Sequence, residues 1–349
     1  MAQPIVFDIT PEKEASKLQF LRRQFSAGAS PLSRRDVDLS GKTAIVTGAN
    51  GGIGLDCSQQ LLELGLTKLI LAVRNEVKGE AARESLMRTK TLASNVIIEV
   101  WKLDYASYDS VTAFAQRADQ LGQLDIAILN AGVHRVSFEL NPTTGHEENL
   151  QTNYLSTVLL MLLLLKTFKK AESTANLSNH SPGRIVLVSS DTAAWTKFTQ
   201  RDKDPLLAAF DEKPVKFDNY DSYATSKLLG QLFITELARR VPPSVAVINC
   251  ANPGLCYSKL QRELGLFPDV VIRLFGRSTA VGARTLMHAA VKLDDSSHGQ
   301  YVEDGYLRPM APFVYSKDAV QVVQRLWKET MEELAFAGVQ DIVDGLGRV

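Results

Sequence analysis

The sequence is short of cysteine, of net charge and of long apolar runs, and each shortage excludes a class of protein. Cys57, Cys250 and Cys256 are the only cysteines among 349 residues, too few and too scattered for a disulfide framework or a cysteine-based zinc site. Lysine plus arginine number 39, as do aspartate plus glutamate, so no overall field attracts nucleic acid or an anionic membrane. We therefore expect an intracellular protein in a reducing setting, with no nucleic-acid partner.

Signals for membrane insertion and for targeting are also missing. The longest apolar run, Val158–Leu165, is far shorter than the about 20 residues that a bilayer span needs, so it predicts a helix buried in the fold or at a subunit contact. Residues 1–26 mix acidic and basic side chains, unlike a signal peptide or a mitochondrial transit peptide. The sequence thus predicts no transmembrane segment and a cytoplasmic location.

The histidines give no sign of a metal site. All five lack the spacing of metal ligands, and most fall in segments that resemble loops. His134 follows Asn130-Ala-Gly-Val133 and could border a pocket, although placement at the surface is the favoured interpretation. We therefore expect no bound metal.

From Lys42 onward the chain alternates between apolar runs and segments of helix length. The runs that suit buried parallel strands are Thr43–Thr47, Lys68–Val73, Val96–Leu103, Asp125–Asn130, Arg184–Ser189 and Ser244–Cys250. The helix-length segments include 53–64, 76–90, 107–121, 147–171 and 221–241. This alternation predicts an α/β fold, a Rossmann-type doubly wound parallel sheet with helices on both faces.

The same pattern predicts one domain with an N-terminal helical appendage. The expected divisions are 1–40 as N-terminal extension and linker, 41–337 as the Rossmann domain and 338–349 as a C-terminal tail. Substrate loops are expected at 191–219 and 255–278, because regular alternation is lost there. Their apolar and aromatic content favours a sizeable, mainly apolar substrate, and ordinary core packing explains it equally well.

A glycine-rich run, Thr47-Gly-Ala-Asn-Gly-Gly-Ile-Gly54, follows the first predicted strand and opens the first helix. Gly48 permits a tight turn, while Gly52 and Gly54 let the backbone approach a pyrophosphate and let the helix pack on the sheet. Free N–H groups at the helix start would face the phosphates. The run therefore predicts a dinucleotide site formed by Gly48, Asn50, Gly52, Ile53 and Gly54.

Three polar residues at strand ends extend the predicted cofactor site. Arg74 follows the second strand, where NAD-binding enzymes usually have an acidic residue; an arginine suits a 2′-phosphate and favours NADP(H). Asp104 follows the third strand and would lie near the adenine. Asn130, with Ala131 and Gly132, closes the fourth strand where the backbone must pass close to the cofactor.

Tyr223 and Lys227 are spaced to share one helix face. A free phenol has a pKa of about 10, too high for ready proton exchange at neutral pH. One ammonium about 4 Å away, at an effective dielectric of about 20, would lower that pKa by about two to three units. The pair therefore predicts Tyr223 as a general acid or base. Tyr220 has Ala224 at the same spacing and lacks a lysine partner.

These motifs, in this order, resemble the short-chain dehydrogenase/reductase family over about Asp38 to Ala337. The chain has its TGxxxGxG, NAG, YxxxK and PG motifs, the last of them at Pro253-Gly254. Within the family it looks most like the retinol-dehydrogenase-like and WW-domain-oxidoreductase-like branch, on Gly145-His-Glu147, Glu236-Leu-Ala-Arg-Arg240 and Gly299-Gln-Tyr301. The N-terminal appendage resembles that of fungal members that act on secondary metabolites.

The resemblance assigns roles to individual residues. It implies that Ser190 is the catalytic serine, with Ser189 as the alternative, and that Asn153 holds a water in a proton relay. It implies that Lys227 also holds the nicotinamide ribose. Ser258, four residues after Gly254 of the Pro253-Gly254 motif, stands where the family usually has a threonine that bonds the carboxamide.

The expected activity is therefore NADP(H)-dependent hydride transfer between the nicotinamide and a carbonyl or alcohol carbon of a small molecule, in secondary or lipid-like metabolism. Two alternatives stay open: a redox-neutral cyclase or isomerase on the same fold, and a non-catalytic NADP-binding sensor. The helices at 155–165 and 221–241 resemble the surfaces through which family members pair, so a homodimer is one expectation.

Overall fold

The structure is a computed structural model that describes residues 7–26, 28–89, 95–174, 181–258, 260 and 274–347. Residues 259 and 261–273, which hold much of the predicted substrate loop at 255–278, lie outside the described residues. Among the described helices, none is both long enough and apolar enough to cross a membrane.

One sheet runs through the protein, and its strands are β1 Thr43–Thr47, β2 Lys68–Val73, β3 Ile97–Lys102, β4 Ile126–Leu129, β5 Gly183–Val188, β6 Ala246–Asn252, β7 Tyr301–Glu303 and β8 Tyr306–Arg308. Their order across the sheet is β3-β2-β1-β4-β5-β6-β7-β8. All neighbours pair in parallel except β7 and β8. This is the predicted Rossmann-type sheet, and the order reverses between β1 and β4, where ligands of such sheets bind.

The described helices are α1 Pro11–Glu14, α2 Lys17–Gln24, α3 Gly52–Glu63, α4 Glu76–Met87, α5 Tyr108–Ala118, α6 Glu148–Leu150, α7 Ser156–Thr174, α8 Ala208–Asp211, α9 Asn219–Leu237, α10 Thr279–Met287, α11 Lys317–Glu333 and α12 Val339–Leu346. A π-helical turn at Gln151–Leu155 joins α6 to α7, and a 3-10 turn at Asp191–Trp195 follows β5.

The core has two layers, one on each face of the sheet. Every residue of β1 is buried, as expected for a central strand covered on both sides. Side chains from α5, α7, α9, α11 and α12 pack on one face, and those from α3, α4 and α10 pack on the other. This double covering leaves the carboxyl ends of the strands as the edge where a site can form.

The helices that suggested a homodimer are covered by the chain's own C-terminal helices. Trp327 of α11 stacks on Phe233 of α9, with ring centroids 5.0 Å apart. Val339 and Val343 of α12 are buried in the same core cluster as the leucines of α7. Val158–Leu165 is therefore part of the fold, and the segment predicted as a C-terminal tail contains a packed helix. A homodimer stays a prediction.

The N-terminal extension forms two capped helices. Thr10 caps α1, whose first residue is Pro11, and Ser16 Oγ accepts a hydrogen bond from Gln19 N at 3.2 Å at the start of α2. Both helices lie against the carboxyl edge of the sheet, because α2 contacts the 3-10 turn after β5 and the segment after β6.

Candidate active site

The glycine turn between β1 and α3 has no room for side chains at its closest points. Gly48 and Gly52 have positive φ angles of 66° and 56°, which favour glycine. A Cβ atom added at Gly54 would lie 2.6 Å from both Asn130 Nδ2 and Gly48 O. Helix α3 begins without a side-chain cap, so its first N–H groups are available to an anion. The turn thus fits a dinucleotide pyrophosphate.

The segment after β4 holds this turn in place. Asn130 Nδ2 donates to Thr47 O at 2.9 Å, and Ala131 N donates to Thr47 Oγ1 at 2.9 Å. The structure therefore brings together the two motifs that the sequence predicted at neighbouring strand ends. The side chain of Asn130 connects them through its hydrogen bond to Thr47 O.

The other predicted cofactor residues lie along the same edge. Arg74 is exposed at the end of β2, where its carbonyl accepts from Lys102 Nζ at 2.8 Å. Asp104 is half-buried after β3, and its carboxylate accepts from Ala106 N at 3.1 Å. Ser258 packs beside the turn, since a Cβ atom at Gly52 would lie 3.7 Å from Ser258 Cβ. Pro253 is buried directly after β6.

Asn153 sits in the π-helical turn before α7 and is almost fully buried. Its side chain accepts from Val133 N at 2.8 Å and donates to Val133 O at 2.9 Å and to Ser226 Oγ at 3.0 Å. These bonds tie the segment after β4 to helix α9. The side chain thus positions the site, and a water-holding role for Asn153 stays a prediction.

Ser190 and Tyr223 meet at the end of β5. The hydroxyl of Ser190 lies close enough to the phenol of Tyr223 to lower its pKa, and that phenol is buried. Thr192, which the sequence reasoning did not single out, donates its N–H and its hydroxyl to Ser190 Oγ, at 3.3 and 3.0 Å. The only local signal in the sequence for this contact was that the residue two positions after the serine carries a hydroxyl.

The neighbouring serine points elsewhere. Ser189 is buried, and its Oγ accepts from Gln231 Nε2 at 3.1 Å, about two helical turns after Tyr223. The geometry therefore favours Ser190 over Ser189 as the serine that faces a substrate oxygen.

Lys227 lies one helical turn after Tyr223 and is also buried. Its Nζ donates to Val188 O at 2.9 Å and lies 5.8 Å from the centre of the Tyr223 ring. A Cβ atom at Gly132 would be 3.6 Å from this Nζ, so Lys227 faces the same cleft as the segment after β4. Burial lowers the pKa of Lys227 to about 8.

The expected lowering of the tyrosine pKa is wrong for this structure. Burial raises the pKa of Tyr223 to about 12, and the hydrogen bond from Ser190 only partly offsets it. Lys227 does not compensate, because its ammonium is directed at the carbonyl of Val188. At neutral pH the phenol therefore keeps its proton.

His134 was expected at the surface, and that expectation is also wrong. Its side chain is buried, and its ring stacks on the ring of Tyr223, with centroids 4.6 Å apart and planes 17° from parallel. Its position directly after the NAG motif was the available signal. Among the described residues, no cluster of three or more His, Cys, Asp or Glu side chains could hold a metal ion.

The aromatic residues of the predicted loop 191–219 mostly serve the core. Phe198 and Phe210 are buried and pack with Phe313, whose ring centroid is 5.4 Å from that of Phe198. Trp195 packs against the N-terminal helices. These residues therefore do not support the expectation of an apolar substrate.

Comparisons with known proteins point to one family. Residues 42–200 match the sequence profile described as short chain dehydrogenase. The short-chain dehydrogenase fogG of Aspergillus ruber is 51% identical over 351 residues, covering 98% of this chain and 99% of the relative. The short chain dehydrogenase/reductase mfmJ of Annulohypoxylon moriforme is 39% identical and covers 94% of both chains.

Solved structures share the fold. An uncharacterised protein from Mycobacterium paratuberculosis matches with a TM-score of 0.62 and 25% identity, over 88% of this chain and 98% of that one. A short-chain dehydrogenase from Sphingobium yanoikuyae in complex with NADPH matches with a TM-score of 0.52 and 17% identity, over 70% and 83% of the two chains. With its glycine turn, its Ser190–Tyr223–Lys227 group and relatives that align over nearly its whole length, the chain belongs to the short-chain dehydrogenase/reductase family.

Proposed function

We propose that the protein is an NADP(H)-dependent oxidoreductase that interconverts a ketone or aldehyde with the matching alcohol. The observation that carries this proposal is the meeting of Ser190 and the buried phenol of Tyr223 at the end of β5, with Lys227 on the next turn of the same helix. Bound NADP(H) would supply or accept the hydride at the substrate carbon.

Each of these side chains has a separate task. Tyr223 would donate its proton to the carbonyl oxygen during reduction, and a pKa of about 12 keeps that proton in place at neutral pH. Ser190 would bind the same oxygen and hold it within reach of the phenol. Lys227 would orient the nicotinamide ribose, since its Nζ faces the cleft beside Gly132.

The preference for NADP(H) rests on Arg74. The side chain is exposed at the carboxyl end of β2, where a guanidinium can form paired bonds with a 2′-phosphate. Asn75, the next residue, caps α4 and adds no negative charge there. Gly48, Gly52 and Gly54 would hold the pyrophosphate against the start of α3.

The biological setting is proposed from the relatives. Fungal short-chain dehydrogenases align with this chain over nearly its full length, so we propose a role in fungal secondary metabolism. A cytoplasmic location is proposed from the sequence alone. For a substrate of mainly apolar character, the remaining support is the composition of Leu260–Leu274, which lies largely outside the described residues.

The test replaces Tyr223 with phenylalanine and uses Tyr220→Phe, on the same helix, as the matched control. NADPH oxidation would be followed with acetophenone, benzil, decanal and menadione, after titration of each protein with NADPH and NADH. We expect roughly a 100- to 10,000-fold loss of turnover in Tyr223→Phe and little change in Tyr220→Phe, with cofactor affinity retained in both.

Turnover that survives in Tyr223→Phe would contradict the assigned role of the phenol. Tight NADPH binding without NADPH consumption, together with conversion of a carbonyl compound, would instead favour a redox-neutral isomerase. Binding without any conversion would favour a sensor.

A further inference from the structure

The N-terminal helices surround a residue of the catalytic segment. Trp195, which ends the 3-10 turn that begins after Ser190, donates from Nε1 to Ala15 O at 2.7 Å. Phe20 meets the indole edge to face at 5.2 Å, and the ammonium of Lys17 lies 3.1 Å from the ring centre. The appendage is therefore packed onto the segment that carries the catalytic serine.

Arg23 of α2 makes the most direct connection. Its guanidinium lies 2.6 Å from Glu14 Oε1, 3.1 Å from Asp191 Oδ1 and 2.9 Å from Glu303 Oε1, and its side chain is only 11% exposed. Asp191 is the residue after Ser190. Glu303 ends β7 and accepts from Asn252 Nδ2 at 2.9 Å, at the end of β6. One guanidinium thus joins the appendage to two strand ends of the site.

The charges in this cluster depend on Arg23. Burial and the neighbouring Asp191 raise the pKa of Glu303 well above its usual range. Glu14 and Asp191 are two further buried carboxylates that share the guanidinium. A cavity of about 20 Å³ lined by Arg23 and Ser190 leaves room for about one water molecule.

Gln24, the next residue, contacts the backbone at Leu255 and Phe275. Its Nε2 donates to Leu255 O at 2.9 Å and to Phe275 O at 2.8 Å, while its Oε1 accepts from Leu255 N at 3.1 Å. Leu255 and Phe275 lie near the two ends of the predicted substrate loop. Arg277 reinforces this junction, because it pairs with Asp304 at 2.5 Å and donates to Arg23 O.

We propose that α2 is part of the substrate site and that Arg23 and Gln24 are positioning residues, Arg23 for the Ser190 turn and Gln24 for the backbone at Leu255 and Phe275. This proposal rests on the proposed function for the meaning of Ser190, and on geometry for the contacts themselves. Since Arg23 contacts neither the phenol nor the predicted cofactor turn, its removal is expected to change turnover and leave NADPH affinity intact.

The first test measures hydrogen–deuterium exchange in the full-length protein and does not need a substrate. Arg23→Met removes the guanidinium, and Arg22→Met, an exposed neighbour on α2, is the matched control. We expect exchange of the amides at 191–195 to rise more than about tenfold in Arg23→Met only, because the two carboxylates lose their shared cation. Equal exchange in wild type and both variants would overturn the proposal.

The second test measures kcat and KM separately for the carbonyl compounds named above. Rates are divided by the fraction of each protein preparation that binds NADPH. Arg23→Met is expected to lower kcat roughly 10- to 100-fold through displacement of Ser190, with KM almost unchanged. Gln24→Leu is expected to raise KM about tenfold with a smaller change in kcat. If the two residues had purely structural roles, the variants would contain a smaller fraction of active protein. Neither the selective loss of kcat nor the selective rise of KM would then be seen.

If Arg23→Met fails to fold, the variant Arg23→Lys still tests the proposal. Lysine keeps the charge and lacks the fork that reaches three carboxylates at once, so exchange and kcat should lie between those of wild type and Arg23→Met. Wild-type behaviour of Arg23→Lys in both tests would overturn the proposal. Wild-type protein that binds no NADPH would refute the proposed function alone, since the exchange test still decides the role of Arg23.

Discussion

The glycine turn and the Ser190 turn lie at the same edge of the sheet and are held by different kinds of contact. Around the glycine turn, backbone atoms and one amide set the distances, with Asn130 Nδ2 on Thr47 O at 2.9 Å. Around Ser190, buried charges do so, through Arg23 and its carboxylates. The cofactor side is thus assembled from neighbouring strand ends, and the substrate side from segments far apart in sequence.

The difference has a physical consequence for tolerance to change. A close-packed backbone turn tolerates almost no added volume, whereas an ion-pair cluster tolerates changes in volume and fails when its charges no longer balance. Substitutions around the glycine turn should therefore act through side-chain volume. Substitutions around Ser190 should act through charge and should depend on pH.

The largest effect is expected at Gly54. Gly54→Ala would place a Cβ atom 2.6 Å from Asn130 Nδ2 and Gly48 O, so the turn must open. We expect NADPH affinity to fall about 100-fold, measured by fluorescence titration. Gly51→Ala is the control, since a Cβ atom there meets nothing within 4 Å. Similar losses in both variants would show that volume at Gly54 is not what limits the turn.

A smaller effect is expected at the exposed rim of the cofactor side. Arg74→Ser should weaken NADPH binding about tenfold and leave NADH binding within about twofold, because only NADPH carries the 2′-phosphate. Arg88→Ser, an exposed arginine at the end of α4, is the control. An equal loss for both cofactors in Arg74→Ser would remove the basis for the NADP(H) preference.

The smallest expected effect concerns His146 and the way in which the free energy of unfolding depends on pH. His146 Nδ1 lies 2.8 Å from Asp211 Oδ2, and its Nε2 lies 3.1 Å from Glu333 Oε1. Burial lowers its pKa, but the hydrogen bonds to these two carboxylates outweigh burial and raise it to about 9, from an ordinary value of 6.5. The stabilisation is therefore complete below about pH 6.5 and is lost as the pH rises through about 9.

Urea unfolding at several pH values would measure this loss in wild type and in His146→Gln. Wild type should lose about 1–2 kcal/mol more than the variant between about pH 6 and pH 10, after allowance for solvent screening of the carboxylates. Parallel pH profiles for the two proteins would mean that folding does not raise the pKa of the imidazole.

Much of the fold could be predicted because its signals are local. Strands Thr43–Thr47 and Lys68–Val73 were predicted with the bounds that the structure has, since both are continuous buried runs next to glycine or polar turns. Strand β6 begins and ends two residues later than predicted, at Ala246 and Asn252. Strand β8 was missed, because three partly exposed residues at a sheet edge leave no pattern.

The site was less predictable where it depends on contacts between distant segments. Spacing placed Tyr223 and Lys227 on one helix, but it could not show that the ammonium is directed at Val188 O and that burial raises the pKa of the phenol. Nothing near Arg23 in the sequence points to Asp191 or Glu303, because those partners are brought to it only by the folded sheet.

The covering of α7 by α12 sets an order of events during synthesis. Helix α7, with its run of leucines, leaves the ribosome long before Val339–Leu346 is made, so the part of its apolar surface that α12 covers stays open until then. A nascent chain stalled or cut before residue 339 would expose that surface to other molecules. The arrival of α12 therefore closes an apolar surface that would otherwise favour aggregation.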